Sequence, residues 1–219
     1  MHLTGLIARR VRGAKSQIWF WFNDVSEPTR PASETLDIRL ILLTHGHWDH
    51  IGSVRDIKEF TGAQVALHRR EKDWLEKSLK PLPPGVTRWG RTFAGIMAMF
   101  MSSVHVPPTK VDMELGDREV SLTQYGIPGK IVPTPGHSSR SVSVLLESGE
   151  AFVGDLAMNG FPLRLRSGLP ILAEDMQHVR KSWELLLAEG ARTIYPAHGK
   201  PFSADVIRKA LFNSGVMIE

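Results

Sequence analysis

Apolar residues along the chain fall into short runs set between polar, Gly- and Pro-containing stretches, and the runs alternate between strand-like and helix-like spacing. The aromatic run Ile18 to Phe22 (IWFWF) has strand length and gives way to a Pro- and Ser-containing loop that reaches Pro31. Ile38 to Leu43 (IRLILL) reads as a buried strand running straight into the polar cluster Thr44 to His50. Val54 to Phe60 has helical spacing, Ala63 to Leu67 is a short strand, and Glu71 to Leu79 is a helix ended by the Pro81–Pro84 loop. Beyond Val111 short strands are expected at Arg118 to Leu122, Gly129 to Val132, Val142 to Leu146 and Ala151 to Val153. Met176 to Glu189 carries Val179, Trp183, Leu186 and Leu187 at core-facing helical positions and is stopped by Gly190. A strand at Thr193 to Tyr195 and a helix over Ala204 to Phe212 follow. Strands and helices mixed through both halves predict an α/β layered protein.

Residues 88–103 (RWGRTFAGIMAMFMSS) are apolar nearly all round. They read as a buried or partly exposed helix, with a flexible Met-lined wall or a greasy partner surface as the functional alternative. The longest apolar run, Phe93 to Met101, is far short of the ~20 residues of a membrane span.

Length and composition then narrow the class. The 219 residues are 42% hydrophobic and 23% charged, enough for one domain with a real core over residues 1–219 and against wholesale disorder. No cysteine is present, which removes disulfides, thiolate zinc sites and a cysteine nucleophile. Twenty-seven basic residues against 23 acidic ones give a mild +4, interleaved rather than gathered into a nucleic-acid-binding stripe. The N-terminus, with Arg9, Arg10, Arg12 and Lys15, is the most lopsided stretch and lacks the order of a secretory signal. A small-molecule substrate, no nucleic acid, no membrane span and a cytoplasmic location are the resulting expectations.

The nine histidines carry the chemistry. His45, His47 and His50 fall within six positions, with Asp49 among them, in the segment THGHWDHIG that follows the buried strand. Ligand-type side chains at the C-terminal end of a strand are where open α/β sheets commonly place their sites. His45 and His47, two apart on an extended loop, can face one ion, while Asp49 and His50 can reach a second. Imidazole and carboxylate suit zinc, iron or manganese. His137 in Pro133-Thr-Pro-Gly-His-Ser, Asp155 in Phe152-Val-Gly-Asp and His198 in Tyr195-Pro-Ala-His-Gly repeat one context: apolar strand, small residues, ligand type. Each is expected in a turn after a strand, with the glycines permitting tight turns. His68, His105 and His178 lack such companions and read as surface or packing residues.

This set of motifs over residues 38–201 resembles the metallo-β-lactamase superfamily of metallo-hydrolases, closest to its compact glyoxalase II-like members. The resemblance implies a four-layer αββα sandwich with a two-metal site at one edge. It assigns His45, His47 and His137 to one ion and Asp49, His50 and His198 to the other, with Asp155 bridging. It implies zinc in the first place, with iron or manganese as alternatives, and a hydroxide shared by the ions that Asp49 helps to orient. Cleavage of an ester, thioester or lactone follows. Only 43 residues precede Thr44 and none forms an Asp-Thr-Gly strand end, so residues 1–37 diverge from the family and its first β-layer is expected to be incomplete or rebuilt. Arg140 also stands where the family has Gly. Tyr195, Asn159 and Arg140 are candidate substrate contacts, set against packing, a loop cap and solvent exposure. A mononuclear iron oxygenase of the same fold and a non-catalytic protein with a vestigial site are the competing readings.

Overall fold

In strand β3 (Ile38–Leu42) and the residue after it, neighbouring side chains point opposite ways, and both ways are apolar. Leu40 and Leu42 pack toward Ile131, Val144 and Phe152, whereas Ile41 and Leu43 pack toward Ile51, Val54 and Leu75. A strand buried on both faces needs a layer on each side. The computed structural model that shows this describes residues 6–7, 17–21, 38–160 and 163–212, with backbone pairing alone for the first two stretches.

The first sheet takes the order β1 (Leu6–Ile7), β2 (Gln17–Trp21), β3, β4 (Gln64–His68) and β5 (Met113–Leu115). Strands β2 to β5 run parallel and β1 is antiparallel at the edge. The first layer, expected to be incomplete or rebuilt, thus holds five strands. The two strands at one side of it, β1 and β2, come from the N-terminal stretch, where an aromatic run rather than an Asp-Thr-Gly motif marks β2. Phe22 and the loop to Pro31 lie outside the described residues.

The second sheet contains β6 (Val120–Ser121), β7 (Gly129–Pro133), β8 (Val142–Leu146), β9 (Glu150–Gly160), β11 (Thr193–His198) and β12 (Phe202–Ser203). Its order is β12-β11-β9-β8-β7-β6, and β10 (Arg164–Gly168) folds back on the end of β9. Helices α1 (Trp48–Ile51), α2 (Val54–Thr61) and α3 (Lys72–Glu76) cover the outer face of the first sheet. Helices α5 (Met176–Ala188) and α6 (Asp205–Phe212) cover the second through Val179, Trp183, Leu186, Ile207 and Leu211. The expected αββα order of layers is the one the chain adopts. Helix α5 starts where the Asp175 carboxylate accepts the N–H groups of Gln177 and His178.

Several element boundaries differ from the sequence reading. The helix expected over Glu71 to Leu79 is only Lys72–Glu76, because Glu71 turns inward and Ser78 adopts a left-handed φ of 54°. The strand expected at Arg118 to Leu122 pairs over two residues alone. The one expected at Ala151 to Val153 extends to Gly160, since β8, β11 and β10 pair with it in succession. Residues 88–103 form helix α4 (Arg88–Phe100) and a 3-10 turn, with Gly90 the one buried residue of the helix. Among the described residues no helix is long and apolar enough to cross a membrane.

Candidate metal centre

Strand β3 delivers Thr44 to His50 to the edge of the two sheets. His47 is extended, as expected, and stands at the N-cap of α1, so Asp49 and His50 sit on a helical turn. The turn closes with the His50 N–H on the His47 carbonyl at 2.9 Å. From the second sheet come His137, just past β7, Asp155 inside β9 and His198 at the last position of β11. Asp155 and His198 are therefore strand residues, not turn residues. Their presentation to the site depends on Gly154, at φ +53°, and on register shifts between β9 and β11 at Pro196. A Cβ on Gly154 would lie 2.4 Å from Thr44 Oγ1, so the close contact between the two sheets at this point requires glycine.

The seven side chains converge in two groups, His45–His47–His137 and Asp49–His50–Asp155–His198, each with ligand atoms within 4.8 Å of one another. Asp155 stands between them: its carboxylate is 3.5 Å from His137 Nε2, 3.5 Å from His50 Nε2 and 3.4 Å from His198 Nε2. Asp49 lies 3.2 Å from His198 Nε2 and 3.5 Å from His50 Nε2. His47 Nδ1 and His137 Nε2 are 3.0 Å apart. The rings are oriented from behind, with His137 Nδ1 bonded to the Leu172 carbonyl at 2.8 Å and His45 Nδ1 3.1 Å from the Thr44 hydroxyl. That leaves both Nε2 atoms aimed into the site. His45 Nε2, His50 Nε2 and Asp155 Oδ1 are buried and lack a hydrogen-bond partner among the described residues. Buried polar atoms without partners are costly, and a divalent cation is the group this nitrogen and oxygen donor set fits.

The electrostatics point the same way. Burial, reinforced by neighbouring imidazoles, lowers the His45, His47 and His137 pKa values, His47 to about 3, so all three are neutral donors at pH 7. Burial opposes the charge on Asp49 and Asp155, but His50 and His198 beside them overcome it: Asp49 falls to about 2 and Asp155 well below the usual carboxylate range. The same contacts raise His50 and, further, His198 against the pull of burial. The two carboxylates are thus balanced by His50 and His198, with charge of the sign a divalent cation would bring.

The sequence model described as the Metallo-beta-lactamase superfamily matches residues 21–198. The chain belongs to that superfamily. Among curated relatives, a probable metallo-hydrolase, YqgX, of Bacillus subtilis (strain 168) is 32% identical over 122 residues, 55% of this chain and 50% of that protein. A hydroxyacylglutathione hydrolase of Ectopseudomonas mendocina (strain ymp) is 28% identical over 160 residues, 72% of this chain and 46% of that protein. The chain spans about half the length of these curated relatives. A solved archaeal metallo-beta-lactamase superfamily protein, ST1585 from Sulfolobus tokodaii, shares the fold with a TM-score of 0.64 at 20% identity, over 94% of this chain and 80% of that one.

Sequence reasoning missed one part of this superfamily site. Glu71, fully buried, accepts the Gly46 N–H at 2.7 Å and the Ser138 hydroxyl at 2.5 Å. Gly46 separates His45 from His47 and Ser138 follows His137, so one carboxylate ties together the loops of the first group. Trp74, on the same short helix, stacks on His47 with ring centroids 5.5 Å apart. A lone Glu at a helix start carries no signal of such a role in the sequence. Burial raises the Glu71 pKa to about 7 against the opposing effect of its two hydrogen bonds.

The remaining candidates lie outside both groups. Tyr195 stacks on Phe152 at 4.7 Å and packs between the sheets. The Asn159 side-chain amide donates to the Lys200 carbonyl, tying β9 to the turn after β11. Arg140 donates to the Ser139 carbonyl at the surface of the His137 loop. His68 is buried against Asp117, His178 bonds Asp175 at the start of α5, and His105 is exposed.

Proposed function

We propose that this chain is a metal-dependent hydrolase that holds two divalent cations and cleaves an ester, thioester or lactone. The observation that carries the reading is the convergence of seven ligand-type side chains in two adjoining groups with Asp155 between them. His45, His47 and His137 would hold one ion, and Asp49, His50 and His198 the other, with Asp155 shared. Bound there, two such ions supply Lewis acidity and lower the pKa of water from 15.7 toward ~7.

The chain's own residues supply the rest. The Leu172 carbonyl accepts from His137 Nδ1 and so leaves the His137 Nε2 lone pair facing the site, and the Thr44 hydroxyl, accepting from His45 Nδ1, would do the same for His45. Asp49, ionised and next to His198, is placed to accept a hydrogen bond from the attacking water and hold its orientation. Glu71 keeps the two loops of the first group in register. A relative named for hydrolysis of hydroxyacylglutathione supports an acyl substrate over a phosphodiester. The second group is one that a mononuclear oxygenase would not need, and it favours hydrolysis. Five imidazoles and two carboxylates suit zinc, iron and manganese alike, and zinc is put first on the family resemblance.

A panel of thioester, lactone, β-lactam and phosphodiester substrates tests the reading. The expected result is hydrolysis of an acyl substrate that chelation abolishes and added zinc, manganese or iron restores. Oxygen consumption without hydrolysis, or full activity after rigorous metal removal, would refute it.

A further inference from the structure

Helix α4 has a composition unlike the rest of the chain. From Lys77 to Val111 there are five Lys or Arg residues and no Asp or Glu, and from Leu156 to Ala173 two Arg and again no acid. The fold brings these two segments together: Phe93 and Ala94 of α4 and Leu163 beside β10 pack on one cluster, Met158, Ile171 and Leu172. These two segments therefore bring basic residues and no acid of their own to the surface they share.

That face is also apolar. Trp89, Phe93, Ile96 and Phe100 follow an i, i+4, i+7, i+11 spacing and form one stripe along α4. Trp89 and Ile96 are each 45% exposed, Phe100 57% and Met99 76%, and Leu165 on the adjoining strand is 89% exposed. The helix is nevertheless anchored at both ends. The Thr87 hydroxyl caps the Gly90 N–H at 2.8 Å, and Lys80 Nζ donates to the Met101 and Val104 carbonyls beyond the C-terminus. Phe93 packs inward on the Met158 cluster, but Ile96, Met99 and Phe100 leave apolar surface exposed on a fixed helix, which calls for a partner.

We infer that α4 and the neighbouring β10 segment form a peripheral docking surface for a bilayer rich in anionic lipid headgroups. Arg88, Arg91 and Arg166 are exposed, and among the described residues none has a carboxylate ion-pair partner. Arginine heads beside Trp, Phe and Leu side chains are the pairing that an interfacial helix uses, apolar groups entering the acyl boundary while the cations meet phosphates. Side chains at 57–89% exposure are not enclosed, which suits a lipid interface better than a small ligand. A second copy of the chain is disfavoured, because apposing two such faces would gather uncompensated arginines with no acid to pair them.

Vesicle flotation of the full chain tests the inference, with phosphatidylcholine vesicles against vesicles carrying about one-third phosphatidylglycerol. The expected result is flotation with the anionic vesicles alone, weakened by salt. Each arginine contributes about fivefold to partitioning, so R88Q/R91Q should lose roughly 25-fold. M99D/F100D, at exposed positions, should abolish binding while its thermal unfolding matches the parent. Failure to float with anionic vesicles, equal flotation with both lipids, or flotation unchanged in R88Q/R91Q would overturn it. So would a stable dimer in light scattering that M99D/F100D dissociates.

Discussion

The Ser138 hydroxyl donates to Glu71 at 2.5 Å across 67 positions of sequence, and the other oxygen of the same carboxylate holds the Gly46 N–H at 2.7 Å. One buried side chain therefore sets the distance between the loop carrying His45 and His47 and the loop carrying His137. Replacing Glu71 with Ala strands two buried donors, and the expected loss is about 2–4 kcal/mol of folding stability. Urea unfolding of the parent and E71A checks it, and a change under about 0.5 kcal/mol would contradict the role.

The same carboxylate gives a pH signature. Its pKa rises from an ordinary 4.5 to about 7 in the folded chain. Between these values the folded state keeps a proton that the unfolded state has lost, so this group's stabilisation is complete below 4.5 and is lost as pH rises through 7. The loss amounts to about 3 kcal/mol. In chelated protein, E71Q lacks this dependence, so its stability relative to the parent should improve as pH rises from 4.5 to 7. Parallel stability curves for the two proteins would exclude it.

Gly154 joins strand conformation to site geometry. At φ +53°, with Thr44 Oγ1 only 2.4 Å from where a Cβ would stand, G154A must move the residue that orients His45 and the strand that presents Asp155. A loss of about 2–4 kcal/mol is expected, with weaker zinc binding in calorimetry. Unchanged melting temperature and zinc affinity would contradict this contact.

The candidate ligand set is legible in the sequence because its residue types are rare and clustered: His45, His47, Asp49 and His50 fall within six consecutive positions after a buried strand. The four-layer fold follows from the resemblance those motifs carry. What escapes the sequence is long-range. The extent of β9 depends on three different partner strands, the first-sheet strands near the N-terminus depend on pairing to β3, and Glu71 gains its role only when Gly46 and Ser138 reach it. Residues 88–103 are ambiguous because apolar residues on every side give no single buried face, and the folded chain leaves most of them exposed.

Trp183 supports the site from the opposite side of the second sheet. It is fully buried on α5, and its indole N–H donates to the Leu156 carbonyl at 3.0 Å, one residue past Asp155. W183F should cost about 1–2 kcal/mol through the lost hydrogen bond and W183A about 4 kcal/mol through the cavity. Thermal unfolding checks both, and a W183F variant as stable as the parent would exclude the hydrogen-bond contribution.

Metal stoichiometry by equilibrium dialysis and elemental analysis tests the two-cation site most directly. The parent is expected to bind two ions per chain, H137A and H198A one each from opposite groups, and D155A to be weakened at both. A parent that binds one ion or none, or variants that all keep the parent's stoichiometry and affinities, would contradict the assignment.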